Sequence, residues 1–301
     1  MADRRLQVFH AVAKHLSFTK AAEALFMTQP AVTFQIKQLE EHFNTRLFER
    51  GHGRISITPA GNVVLDYAER ILALSAELDT RLKELTGEVA GLLMIGASTT
   101  IAEFLLPSVL GEFKSIHPKV LPRLIVGNSE TVESRVAEHT LDIGFIEAPS
   151  HLTTVVTEVV CDDELQVVCA PSHPLARLKS ISAKQLQQYP FISRETGSGT
   201  REVTDKYLQK AGVAQDALSV VMELGSPEAL KGLIATGLGF GIMSRVTVAS
   251  ELQLGRVICV PLAPRLLRQL SVVYPKEKFR SQLVNTFVEF AKQRLAARQA
   301  A

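Results

Sequence analysis

Between residues 17 and 43 the apolar positions fall into two helical stripes. Ala21, Ala22 and Leu25 put small and apolar groups on one face of a first helix. Val32, Ile36, Leu39 and Phe43 recur at i, i+4, i+7 and form one stripe on a second. Ser17 caps the first helix and Thr28 the second, and Pro30 falls in a first turn, where a missing N–H costs nothing. A preceding helix over 4–14 turns Leu6, Phe9, Val12 and Ala13 inward. The short alanines let the two helices cross closely, which predicts a helix-turn-helix. Gln29, Thr33, Phe34, Lys37 and Gln38 face away from the stripe. Glutamine can pair with adenine, and threonine can reach a base edge. A plain helical corner with a solvated polar face carries the same pattern, so the pattern alone leaves both readings open.

Residues 46–57 read as a basic hairpin with Gly51 and Gly53 at its tip and Arg50, His52 and Arg54 along it. Such a wing can reach a phosphate or a narrow minor groove, and a solvated hairpin is the plainer reading. Thr58-Pro59 then starts a helix running to about residue 88. Val64, Ala68, Ile71, Ser75, Leu78, Leu82 and Leu85 alternate steps of four and three, a coiled-coil seam for pairing with a second copy.

From Gly91 onward short apolar runs alternate with helical patterns. Strands are expected at 92–97, 121–127, 142–146, 155–160, 164–170, 190–193, 220–224, 240–243, 257–262 and 270–274. Helices are expected near 101–115, 130–139, 201–211, 228–236 and 279–297. The alternation predicts an α/β fold of mainly parallel sheets with helices on both faces, in two subdomains because of its length.

In such sheets ligands bind at strand C-termini, beside free N–H groups at helix starts. Three loops qualify. Ser98, Thr99 and Thr100 follow the first strand and open a helix, offering an anion three hydroxyls. Ser129 precedes the helix near 130–139, where it can cap the helix, face the cleft, or both. The run from Arg194 to Arg201 holds Thr196, Gly197, Ser198 and Thr200, with glycines that let backbone N–H groups approach a ligand. Glu147 and Ser226 end two further strands. Glu147 would repel an anion unless Arg194 or Arg201 neutralises it, or unless it reads a ligand amine or hydroxyl.

The 301 residues carry a net charge of +2, so any nucleic-acid site must be local. Residues 1–58 hold eight basic and five acidic side chains, a modest excess that favours binding through two or more copies. No nucleophile elbow, metal-binding His-Glu-x-x-His, dinucleotide fingerprint or phosphate loop occurs, so neither an enzyme nor a cofactor or metal is expected. The start leads directly into an amphipathic helix and no apolar run would span a bilayer, which points to the cytoplasm. Cys161, Cys169 and Cys259 read as core thiols, with a redox pair of Cys161 and Cys169 as the alternative.

One set of motifs adds to this reading. Phe9…Ser17-Phe18-Thr19-Lys20-Ala21-Ala22, Gln29-Pro30-Ala31-Val32-Thr33, Ile36…Leu39-Glu40, Leu47-Phe48-Glu49-Arg50 and Thr58-Pro59-Ala60-Gly61 stand in order. Together they resemble the N-terminal domain of LysR-type transcriptional regulators, and the later strand–helix order resembles the rest of that family. Position 34, where the family varies, holds Phe. The resemblance implies a winged helix-turn-helix over 1–58, a linker and dimerisation helix over 59–89, and an effector domain over 90–301. That domain would resemble periplasmic solute-binding proteins, with subdomain I at 91–162 and 267–301 and subdomain II at 163–266. The loop at 194–201 is similar to that of members sensing sulfur compounds or carbon-fixation metabolites.

The implied partners are double-stranded DNA, a small polar effector, RNA polymerase and further copies as a dimer or dimer of dimers. The implied DNA contacts are Thr28, Gln29, Pro30, Thr33, Phe34, Lys37, Arg50 and Arg54. The implied effector contacts are Ser98, Thr99, Thr100, Ser129, Glu147, Thr196, Gly197, Ser198, Thr200 and Ser226. A thiol redox sensor and a cytoplasmic solute-binding protein without regulatory role are the alternatives.

Overall fold

A computed structural model of the chain describes residues 3–51, 54–84, 89–214, 217–276 and 280–299. Contacts divide it into two compact units, 1–88 and 89–301.

The first unit holds α1 (Arg4–His15), α2 (Phe18–Ala24), α3 (Gln29–Phe43), a hairpin of β1 (Phe48–Gly51) and β2 (Arg54–Ile57), and α4 (Pro59–Glu84). Ser17 and Thr28 cap α2 and α3, accepting from the Lys20 and Ala31 backbones. Val32, Ile36 and Leu39 enter a core with Phe9, Phe18 and Phe48, each worth about 1.5–3 kcal/mol of apolar burial. Phe43, expected to continue that stripe, is exposed, because Asn44 turns left-handed and ends the helix there. The hairpin is tied to α3 by Glu40, whose Oε1 accepts from the Leu47 and Phe48 backbones at 2.8 and 3.3 Å. Buried Thr58 both accepts from Gly61 N and donates to the Arg46 carbonyl. A Cβ on Gly61 would fall on the Leu47 carbonyl oxygen, so this close approach of helix to hairpin requires glycine.

The second unit begins with β3 (Gly91–Ser98), a π-helical turn at Ile101–Leu105 and α5 (Leu106–Ile116). It continues with β4 (Val120–Gly127), α6 (Ser129–Ala137), β5 (Ile143–Ile146) and β6 (Val155–Cys169). Then come α7 (Ala183–Leu186), β7 (Pro190–Arg194), α8 (Gly199–Lys210), β8 (Ser219–Leu224), α9 (Pro227–Ala235) and β9 (Phe240–Ser244). The chain closes with α10 (Ala249–Gln253), β10 (Ile258–Val260), β11 (Leu266–Pro275) and α11 (Gln282–Gln299). The strand order is β4-β3-β5-β11-β6-β9-β7-β8, with β10 also on β6.

The runs at 155–160 and 164–170, expected as two strands, are one 15-residue strand. Asp162 and Asp163 do not break it, because Asp163 pairs across the ladder with Arg268 of β11. The sheet is parallel only in its wings. Its centre, where β11 pairs with β5 and β6, and β6 with β9 and β10, is antiparallel. The unit therefore has two α/β subdomains joined by two long neighbouring strands. Phe113, Phe145 and Phe287 fill one core, and Phe191, Phe240 and Leu208 another.

Candidate functional site

On α3, Gln29, Pro30, Phe34 and Lys37 are exposed and Thr33 is half-buried. Gln29 Nε2 donates to Thr33 Oγ1 at 3.0 Å, which pre-sets one polar pair on this face. Phe34 is 57% exposed with no core role. The hairpin register places Arg50 opposite Ile55 and Arg54 opposite Gly51. The side chains of Arg50, Arg54 and Leu82, the tip at 52–53, and Leu85 lie outside the described part.

Of the expected seam on α4, Val64 and Ala68 pack against the unit's own core, because α4 lies along α1 there. They are not free for a second copy. Ile71 and Leu78 of that seam are exposed, and Val63, Tyr67 and Leu74 are exposed beside them at helical spacing.

In the second unit the expected loops converge between the subdomains. Ser98 Oγ donates to Glu147 Oε1 at 2.6 Å, and Thr200 Oγ1 donates to Oε2 at 2.9 Å. Arg268 Nη1 pairs with that same Oε2 and donates to Thr200 Oγ1 at 2.8 Å. Arg268 also meets Asp163, which accepts in turn from Ser244 Oγ at 2.6 Å. Burial pushes the Glu147 carboxyl up, but Arg268 and the two hydroxyls outweigh it and hold the group below its ordinary range. Neither Arg194 nor Arg201 supplies its ion pair. Arg268 does, at a position the motifs did not flag. The readable signal was a basic residue in phase with inward-facing Leu266 and Leu270.

Arg194 is 6% exposed. Its Nη2 donates to Thr99 Oγ1 at 3.0 Å, and Glu195 takes Nε and Nη2 at 2.8 and 3.0 Å. Its Nη1 makes no hydrogen bond among the described residues. Thr100, 3% exposed, makes no side-chain cap bond. Thr100 and Arg194 line one pocket with Thr200, Ser244 and Thr247 on its polar side and Pro227, Leu230, Ile242 and Met243 on its apolar side. The space left there is about 10 Å³, room for roughly one water.

The remaining expected residues lie elsewhere. Asn128, not Ser129, caps α6, and Ser129 Oγ instead accepts from the Glu147 backbone at 3.2 Å. The Thr196 carbonyl accepts from Asn128 Nδ2 and the Gly197 carbonyl from Glu130 N, which closes the subdomains on each other. Ser129, Thr196, Gly197 and Ser198 line a wider groove of about 660 Å³ beyond that contact. Its wall carries Glu130, Glu133, Glu202 and Asp205 against Arg201 and His151, a poor setting for an anion. Exposed Ser226 only caps α9.

The three thiols are free, and the expected pair of Cys161 and Cys169 does not come together. Cys161 and Cys169 lie eight residues apart on straight β6, roughly 26 Å at strand rise. Burial pushes Cys161, Cys169 and Cys259 each up to about 11, which leaves them poor nucleophiles. Among the described residues no acid, histidine and cysteine cluster could hold a metal, and no helix is long and apolar enough to cross a membrane.

Residues 4–62 match the family described as bacterial regulatory helix-turn-helix protein, lysR family, and residues 86–296 match the LysR substrate binding domain. The chain is 35% identical to a probable RuBisCO transcriptional regulator of Porphyra purpurea, covering 94% of this chain and 90% of that one. It is 36% identical to YeiE of Escherichia coli K12, an uncharacterized HTH-type transcriptional regulator, covering 95% and 96%. A full-length OxyR variant from Pseudomonas aeruginosa shares the fold, with a TM-score of 0.72 at 22% identity over 97% of this chain and 93% of that one. The regulatory domain of Synechocystis PCC6803 CcmR in complex with 2-PG matches with a TM-score of 0.62 at 28% identity, over 67% and 96%. The chain belongs to the LysR family of transcriptional regulators, with an N-terminal DNA-binding helix-turn-helix and an effector-binding domain behind it.

Proposed function

We propose that this regulator is controlled by a small anion that enters between the two subdomains and shifts their closure. The observation that carries the reading is the pair Thr100 and Arg194. Both line one pocket, where Thr100 makes no side-chain cap bond and Arg194 presents its guanidinium. Because the closed pocket has room for about one water, a ligand has to part the subdomains to enter. Ligand binding therefore couples to subdomain angle. The CcmR domain bound to 2-PG and the RuBisCO regulators among the relatives favour a carbon-fixation metabolite as effector class.

In this reading α3 enters the major groove. Thr28, Gln29, Pro30, Thr33, Phe34 and Lys37 face the bases and phosphates, and Arg50 and Arg54 of the hairpin reach the flanking backbone. The exposed stripe on α4 joins two copies, which together read a two-part site. RNA polymerase is the downstream partner, and the cytoplasm is the compartment. A change of subdomain angle resets the spacing of the DNA-binding heads and the DNA bend.

The test is a gel-shift and DNA-bending assay on the promoter, with and without a panel of phosphorylated and carboxylated metabolites. Lys37→Ala should weaken binding and lower its salt dependence. An effector that stabilises the protein but changes neither DNA bend nor footprint would remove the mechanism while leaving DNA binding intact.

A further inference from the structure

Phe34 is the odd residue on the face of α3 that the core leaves uncovered. Its side chain is 57% exposed and lies outside the core that Val32, Ile36 and Leu39 enter. Around it stand Gln29 and Thr33, which hydrogen-bond each other, and exposed Lys37 and Gln38. One turn back, at i−4, is Pro30, also exposed. The two rings form a small apolar island among hydrogen-bonding groups. Two side chains are far too few to hold a second protein, which takes about 800 Å² from each partner. They do fit a single small apolar group presented between polar edges.

The major groove of DNA offers one such group. Every base pair presents donors and acceptors there, and only thymine adds a methyl. A phenyl ring laid over a G·C pair would strip water from polar base edges and return no hydrogen bond. Over thymine the ring covers the methyl and leaves the polar edges to Gln29 and Thr33. We propose that Phe34 is a specificity-determining residue: it reads the 5-methyl group of a thymine and so selects T·A over C·G at one position of each half-site. This rests on α3 entering the major groove, as proposed above.

The test uses the full chain and the sites it selects from a random pool of duplexes. Within the selected site each thymine is replaced in turn by uracil, which keeps every hydrogen-bonding group and removes only the methyl. At one position per half-site the unmodified protein should then bind about fourfold more weakly, the worth of one buried methyl. In Phe34→Ser the same replacement should change nothing, although that variant binds the thymine site more weakly than the unmodified protein does. 5-Iodouracil at that position, with iodine in place of the methyl, should crosslink to Phe34 on irradiation.

If no uracil replacement weakens the unmodified protein, the methyl rule fails. The docking of α3 is then judged separately by Lys37→Ala, which should weaken binding to every sequence alike. A uracil penalty that persists in folded Phe34→Ser assigns the methyl to another side chain and overturns the proposal. A crosslink to another residue, or none, does the same, and that measurement needs no variant. If the full chain selects no sequence, the docking of α3 falls with the rule.

Discussion

Replacing Arg268 by Met should do more than lower stability: it should reverse how stability depends on pH. Arg268 is buried between Glu147 and Asp163, so its removal leaves two carboxylates without their shared cation. Breaking a buried pair from one side costs about 3–5 kcal/mol. For a unit spanning 89–301, at about 2–4 °C per kcal/mol, the midpoint should fall by roughly 6–20 °C. The sign of the pH effect follows from linkage. In the unmodified protein Glu147 titrates below its ordinary value of 4.5. Its stabilisation is present above that value and is lost as pH falls through the lower folded value. Without Arg268, burial dominates and the folded value rises above 4.5. The folded state then binds more protons than the unfolded one over that window, and stability falls as pH rises, by up to about 1.4 kcal/mol per pH unit. The chain has no tryptophan, so urea unfolding should be followed by circular dichroism from pH 5 upward. A variant whose stability follows the same pH curve as the unmodified protein would refute the argument that Arg268 holds Glu147 charged.

Other substitutions probe the remaining contacts. Gly61→Ala normally favours a helix by about 1 kcal/mol. Here the new methyl meets the Leu47 carbonyl and Ile57, so the first unit should lose about 1–3 kcal/mol, read from its urea midpoint. A methyl on Gly199 would lie 2.6 Å from Ser129 Oγ and 3.0 Å from Glu147 Cβ. Gly199→Ala should therefore wedge the subdomains apart, and amide exchange at Glu130, whose N–H bonds the Gly197 carbonyl, should accelerate; unchanged exchange would argue against a closed contact there. Leu74→Glu with Leu78→Glu should split the oligomer in sedimentation and weaken DNA binding, whereas Ala68→Glu should unfold the first unit. With thiol values near 11, roughly one thiol in a thousand is ionised at pH 8. Ellman's reagent should leave all three cysteines unlabelled in the native protein and label them after unfolding.

The helix-turn-helix was legible because every local signal agreed: cap, first-turn proline and a stripe ending at Leu39. Phe43 was misread because periodicity continues past the residue where the backbone turns away. Val64 and Ala68 fit a heptad seam, yet they serve their own core, since spacing says which residues share a face but not what covers it. The cleft loops were legible as strand ends that open helices. What each hydroxyl does was not. Ser98 and Thr200 are spent on Glu147, Thr99 on Arg194, and Thr100 alone of these is left uncommitted. Those roles depend on Arg268 and Asp163, which lie 105 positions apart in sequence and meet only because β6 and β11 pair. The two acids at 162–163 fall in the gap between two expected strands, yet one of them is half of a buried pair.

The two connections between the subdomains are adjacent, hydrogen-bonded strands whose register shifts between Leu270 and Ser271. A door hung on two pins set side by side can swing but cannot slide. Displacement then grows with distance from the hinge line. Arg268, two residues from that shift, has almost no lever arm, so the ion cluster should persist through opening. The clasp where His151 meets Glu202 at 2.9 Å is exposed to solvent and should part first. A fluorophore pair across that rim would report far more of the swing than one placed near Arg268.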